Sequence, residues 1–224
     1  MIPIKDNIPT RTFPIITVLL IILNTVIYLY EATLPPQKFE LFIHQYGLLP
    51  IDLLHFRFDK IFTSMFLHGS FAHLFGNMLF LWIFGNNVED ALGKFKFIIF
   101  YLLSGVGAAL TQSIISLSAG SYFIPMVGAS GAISGVLAAY IKLYPEAKVL
   151  TVIPPFIFFI FVLPAWFFIG YWFFIQVLFA MIVPPNVGGV AWYAHIGGFI
   201  TGWFLLDIMY KPSKGKVVHY STLR

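Results

Sequence analysis

Runs of about 20 mostly apolar residues constrain a fold more than most sequence features, because about 20 is the length a helix needs to cross the ~30 Å hydrocarbon core of a bilayer. Six such stretches stand out in this chain, at roughly 13–31, 71–89, 95–117, 126–144, 150–183 and 190–210. The rest of the sequence has too little polar surface to coat a water-soluble globule, with 59% hydrophobic and only 10% charged residues overall. The expected fold is therefore all-α: a polytopic membrane protein with a six-transmembrane-helix bundle and a large external first loop, 32–70. One membrane domain, 13–210, would lie between a short N-terminal tail, 1–12, and a basic C-terminal tail, 211–224.

Charge sets the expected orientation. With six spans, Lys5, Arg11, Lys94, Lys96, Lys142, Lys148, Lys211, Lys214, Lys216 and Arg224 fall on the side of the N-terminus, and only Lys38, Arg57 and Lys60 on the other. By the positive-inside rule both termini are cytoplasmic. The first stretch is expected to be a retained span, since it carries Asn24 and runs into Glu31 and Leu34-Pro35-Pro36 without a small-residue cleavage site. Short tails without a transit segment favour a prokaryotic cytoplasmic membrane. The stretch 150–183 is long for one span and holds Pro154, Pro155 and Pro164. A hairpin of two spans there would erase the charge bias, so a single tilted or partly interfacial helix is expected. The net charge of +4 is dispersed over loops and tails, which argues against a nucleic-acid partner. The chain has no cysteine, so disulfides, thiolate metal sites and a cysteine nucleophile are excluded.

Polar residues within spans are costly and tend to mark function. Counting a rise of about 1.5 Å per residue from the cytoplasmic markers, Ser130 lies roughly 18 Å from Lys142 and His195 roughly 24 Å from Lys211. On the same scale Asn77 and His73 lie roughly 20 and 25 Å above Asp90. These side chains converge on one layer in the outer half of the bilayer. Gly131 and Gly135 follow Ser130, and Gly198 and Gly202 follow His195. Each pair has the G-x-x-x-G spacing that lets helix backbones approach closely, and packing the two faces together would set Ser130 beside His195.

A serine hydroxyl becomes a useful nucleophile when a neighbouring base takes its proton. Ser130 and His195 are the candidate pair, and backbone N–H groups at the start of the Ser130 helix, Gly131 included, together with Asn77 and His73 could stabilise an oxyanion. None of the nine carboxylates is placed to be a third member, so a dyad is expected. Other chemistries fit less well. His68, His73 and His195 could bind a metal, but no H-E-x-x-H occurs. A transporter would call for acidic coupling residues at mid-membrane and a repeated half, and neither is found.

The motifs also resemble a known family. Gly128-Ala129-Ser130-Gly131 resembles the rhomboid G-x-S-G motif, Ala194-His195-Ile196-Gly197-Gly198 with Gly202 the segment of the catalytic histidine, and His68-x4-His73-x3-Asn77 the second-span motif. Gly85 to Gly93 is similar to the turn ending that span. The resemblance implies a serine endopeptidase that cuts transmembrane protein substrates within or beside their membrane helix. It further implies an acyl-enzyme, no metal and no cofactor, with Ser130 as nucleophile, His195 as base, and His73 and Asn77 assisting the oxyanion. The fifth segment is the most aromatic part of the chain and is expected to contact lipid with Trp near an interface. The resemblance also offers it as a lateral gate for the substrate. A non-proteolytic relative that only binds membrane helices would normally lack the Ser or the His. Two departures from the family pattern occur, Asp59-Lys60 in place of a Trp-Arg pair and Ser134 in place of an aromatic ring four residues after the nucleophile.

Overall fold

The computed structural model of the chain describes residues 1–211, with the backbone alone for Phe156 and Ile157. Lys214, Lys216, Arg224 and most of the expected basic tail 211–224 lie outside the described residues. The fold is mostly helical. Helix α1 (Ile15–Glu31) follows Pro14, which offers no side chain to cap it. Its orphan N–H groups are met from a distant element. The Glu89 carboxylate accepts the backbone N–H of Ile16 at 3.0 Å and of Thr17 at 2.8 Å, and the Thr17 hydroxyl at 2.8 Å. A negative group suits the positive end of the helix dipole.

The segment expected as a loop after α1 is itself helical, with α2 (Pro36–Tyr46), α3 (Pro50–Leu54), α4 (Asp59–Thr63) and a 3-10 turn at Ser64–Phe66. Proline opens α2 and α3, where its missing N–H costs nothing. Lys60 explains one departure from the family pattern. It is buried, pairs with Asp52 at 3.0 Å and donates to the His44 carbonyl at 3.1 Å, so it ties α2, α3 and α4 together.

Ser70 caps α5 (Phe71–Phe80) by accepting the His73 N–H, and a π-helical turn at Leu81–Gly85 carries the chain into α6 (Asn86–Leu92). Gly93, at φ +79°, permits the break before α7 (Lys94–Ser118). Then come α8 (Ser130–Leu143), α9 (Ala165–Ile182) and α10 (Trp192–Met209). Helices α7 and α9 are each long and apolar enough to cross a membrane, as is the bent pair 59–66 and 71–92 if it counts as one span, its halves meeting at 94°. These helices identify an integral membrane protein. Helix α8 forms the centre of the core. Its Val136, Leu137 and Tyr140 are fully enclosed, with Phe84 edge-on to Tyr140 at 4.9 Å and Phe168 stacked on Phe84 at 5.9 Å.

Two expectations are corrected here. The stretch 150–183 is not one helix, and the fold is not purely α. Strands β2 (Lys148–Ile153) and β3 (Phe156–Pro164) form an antiparallel hairpin, and α9 starts only at Ala165. Pro154 and Pro155 lack the N–H groups a helix would use, while the Val, Ile, Thr and Phe around them favour strands. The third strand is the N-terminal segment itself. Strand β1 (Ile2–Asp6) pairs antiparallel with β2, giving the order β1-β2-β3. Asp6 anchors it in the core, accepting from Asn87 Nδ2 at 2.8 Å and from the Tyr140 hydroxyl at 2.5 Å.

Candidate active site

Ser130 is the first residue of α8, and the backbone leading into it is tightly held. The Gly128 N–H donates to the Ser64 carbonyl at 2.8 Å. At φ +119°, Gly128 adopts a conformation that side chains resist, and a Cβ there would fall 2.6 Å from His73 Cε1. Glycine is thus needed twice over, for its backbone angle and for the ring of α5 pressed against it.

Helices α8 and α10 meet along the glycines singled out in the sequence. A Cβ on Gly198 would lie 2.0 Å from the Gly131 carbonyl oxygen, and one on Gly202 would lie 2.4 Å from Gly135 Cα. Backbones this close leave no room for side chains. One turn up the same seam, the Ser130 hydroxyl and His195 Nε2 are 2.8 Å apart. The imidazole can accept the hydroxyl proton as the oxygen attacks a carbonyl, which is the smallest unit of nucleophilic catalysis.

The far side of His195 is held by residues that the sequence did not flag. Its Nδ1 lies 2.7 Å from Gln176 Oε1 on α9. Trp172, one turn earlier on α9, lies over the ring with centroids 5.7 Å apart and planes inclined by 38°. An aromatic support is therefore present, but it comes from α9 and not from the position of Ser134, whose hydroxyl donates to the Ser130 carbonyl at 2.7 Å. Gln112 of α7 accepts the Ala194 N–H at 3.1 Å and so steadies the first turn of α10. A glutamine in an apolar helix is a polar residue at depth, which is the one signal that could have pointed to either.

His73 and Asn77 from α5 line one half-open cavity of about 470 Å³ with Ser130 and His195, and Phe80 and Trp172 contribute to its apolar lining. His68 is not in that cavity. It is fully buried beneath α5, where its Nε2 lies 3.0 Å from Asn77 Nδ2, its ring meets His73 edge-on at 5.1 Å, and its backbone N–H donates to the Glu31 carboxylate at 3.1 Å. An amide nitrogen can only donate, so one Asn77 N–H is held by His68, while Asn77 also lines the cavity. Gly131 lies in the first turn of α8, where N–H groups have no partner within the helix. Among the described residues no three His, Asp or Glu side chains come together as the ligands of a metal would.

The Rhomboid domain family model matches residues 55–212. The chain is 32% identical over 188 residues to "Rhomboid protein 1, mitochondrial" of Saccharomyces cerevisiae, covering 79% of this chain and 50% of that protein. It is 32% identical over 140 residues to "Rhomboid protease AarA" of Providencia stuartii, covering 55% of this chain and 49% of the relative. A match at 28% over 189 residues to "RHOMBOID-like protein 1" of Arabidopsis thaliana covers 79% of this chain and 41% of the relative. The chain thus spans about half the length, or less, of these curated relatives.

Proposed function

Because this chain belongs to the rhomboid family, we propose that it is an intramembrane serine endopeptidase that cuts a peptide bond in or next to a transmembrane helix of another membrane protein. One observation carries the reading: the 2.8 Å contact between the Ser130 hydroxyl and His195 Nε2, on the wall of a half-open, largely apolar cavity. The name of the Providencia stuartii relative, a rhomboid protease, is consistent with it.

In this mechanism Ser130 Oγ attacks the scissile carbonyl carbon while its proton passes to His195 Nε2. The carbonyl oxygen becomes an oxyanion, met by an N–H of Asn77, by His73 and by backbone N–H groups at the start of α8, Gly131 included. The C–N bond then breaks, the departing amine takes the proton from His195, and an ester to Ser130 remains. Water, activated by the same imidazole, hydrolyses that ester and restores the hydroxyl.

The topology belongs to the same proposal. Helix α1, the α5–α6 rod and helices α7 to α10 are six spans, with both termini cytoplasmic and residues 32–70 external. Helix α8 has 14 residues and so a length of about 21 Å, short of the ~30 Å core. With its C-terminal end at the cytoplasmic surface, Ser130 starts below the outer surface, and the space above it admits the water that hydrolysis consumes. The β2–β3 hairpin then lies on the cytoplasmic side beside the N-terminal strand.

Co-expression with single-span reporter proteins tests the reading, together with labelling by a fluorophosphonate. Cleavage and labelling are expected in the parent chain, with or without a chelator, and both are expected to vanish in Ser130→Ala. Cleavage that persists in Ser130→Ala, or that stops in EDTA and returns with zinc, would overturn it.

A further inference from the structure

The serine–histidine pair leaves one contact of the imidazole unexplained. Gln176 is 4% exposed, and its amide makes two hydrogen bonds that fix which way it points. Nε2 donates to the Trp172 carbonyl at 3.0 Å. A carbonyl accepts and never donates, so the amide nitrogen must be the atom on that side. Oε1 therefore faces His195 Nδ1, 2.7 Å away. An acceptor at that position requires Nδ1 to carry the proton. Neutral imidazole has one N–H, so Nε2 is left with its lone pair directed at the Ser130 hydroxyl, 2.8 Å away.

Resting on the endopeptidase reading above, we propose that Gln176 is a positioning residue that holds His195 in the one tautomer able to take the proton of Ser130. It stands where a carboxylate stands in a catalytic triad. The order of command runs along α9. The Trp172 carbonyl sets the Gln176 amide, the amide sets the proton on Nδ1, and that proton leaves Nε2 basic. A neutral amide achieves this without burying an unpaired charge among apolar helices, where a carboxylate would need compensation. Its dipole offers only partial charge to the imidazolium formed during attack, so orientation is the larger part of its contribution.

The arrangement couples the base to the docking of α9. Trp172 supplies both the face against the ring and the carbonyl that sets the amide. Phe173 stacked on Phe199 at 4.2 Å and the Tyr193 hydroxyl donating to the Ala180 carbonyl at 2.7 Å hold α9 to α10 on either side. Moving α9 away from α10 removes the ring support and the orienting acceptor together.

The test has two parts. In the unmodified chain carrying ¹⁵N-histidine, reconstituted in lipid nanodiscs, the His195 resonances are identified by their loss in His195→Asn. They are expected to report a protonated Nδ1 and an unprotonated Nε2. Kinetics of reporter cleavage then compare Gln176→Leu with Gln176→Glu. The leucine has no acceptor, and kcat should fall about 10- to 100-fold with KM nearly unchanged, the range seen when a functional imidazole such as a metal ligand loses its outer hydrogen-bond partner. The glutamate, as the neutral acid, keeps an oxygen facing Nδ1 and a hydroxyl to donate to the Trp172 carbonyl, and should retain most of the rate. A residue that merely fills space would show the reverse order, because leucine suits an apolar site better than a carboxyl group.

A His195 protonated on Nε2 in the unmodified chain would overturn the proposal, whether or not either variant folds. So would a Gln176→Leu chain that cuts at the parent rate, or a Gln176→Glu chain slower than Gln176→Leu. In those cases the parent chain still labels at Ser130 and the endopeptidase reading stands. A parent chain that resists fluorophosphonate would remove that reading, and the proposal with it.

Discussion

Replacing Gly198 by alanine should separate the two reacting groups without touching either. The added Cβ would sit 2.0 Å from the Gly131 carbonyl oxygen, with the Gly131 carbonyl carbon at 2.9 Å and Ala108 Cβ at 3.3 Å. The first two neighbours are backbone atoms of the buried helix α8, so no side chain can swing aside. A carbon and a carbonyl oxygen settle at about 3.3 Å or more, so α10 has to back away from α8 by about 1.3 Å. His195 lies one turn along α10 on the same seam, and its 2.8 Å contact with Ser130 would open to about 4 Å, beyond hydrogen-bond range. A misplacement of about 1 Å can cost about 10² in rate, and a loss of at least that size is expected. Overpacking should lower stability by about 1–3 kcal/mol. The assay is the initial rate of reporter cleavage in proteoliposomes, with a thermal melt of the same preparation. Gly170→Ala in α9 is the control, because a Cβ there meets nothing within 4 Å. That control should keep the parent rate and a stability equal or slightly higher, since alanine favours a helix over glycine by about 1 kcal/mol. A folded Gly198→Ala chain that cuts as fast as the control would refute the claim that glycine contact holds the pair together.

Four further perturbations test the candidate site, the start of α1 and the N-terminal strand. Asn77→Ala, losing one oxyanion donor, should slow cleavage by about 10²–10³ while slow fluorophosphonate labelling persists; the combined Ser130→Ala and His195→Ala chain should be little worse than either single variant, and a double variant far below both would show that the two do not act as one unit. Glu89→Ala strips the acceptor from two backbone N–H groups and a hydroxyl at the start of α1, and a loss of about 1–3 kcal/mol is expected on thermal melting, whereas an unchanged melt would mean that water replaces the cap. Burial raises the Asp6 carboxyl above its ordinary value, although its hydrogen bond from Tyr140 pulls the other way. A raised folded value means that protonated Asp6 stabilises the fold, fully so below the ordinary carboxylate range and progressively less as pH climbs through the raised value. Asp6→Asn should flatten that part of the pH–stability curve, and a curve identical to the parent's would dismiss the assignment.

How much of this was legible in the sequence depends on the range over which each signal acts. Apolar length marked α1, α7 and α10, because a helix satisfies its own backbone and needs no partner to be recognised. Gly131, Gly135, Gly198 and Gly202 foretold the α8–α10 seam, since close approach is written into each helix by its missing side chains, and the nearness of Ser130 to His195 followed. The hairpin at 148–164 was misread. Its Val, Ile and Phe residues fit a buried helix or a strand equally well by composition, and what decides between them is β1, from the other end of the chain, lying alongside to pair with β2. Gln176 and Trp172 were missed for a related reason. Their meaning lies in facing a ring on another helix, and Gln176 is 19 residues from His195 with a turn between them. The Glu89 cap on α1 and the Lys60–Asp52 pair likewise join elements that no local pattern connects. The sequence by itself determined that apolar helices dominate the chain and which helix faces could touch. Only the tertiary structure decided which polar atoms met, because a hydrogen bond is set by separations of a few tenths of an ångström between atoms that distant parts of the chain bring together.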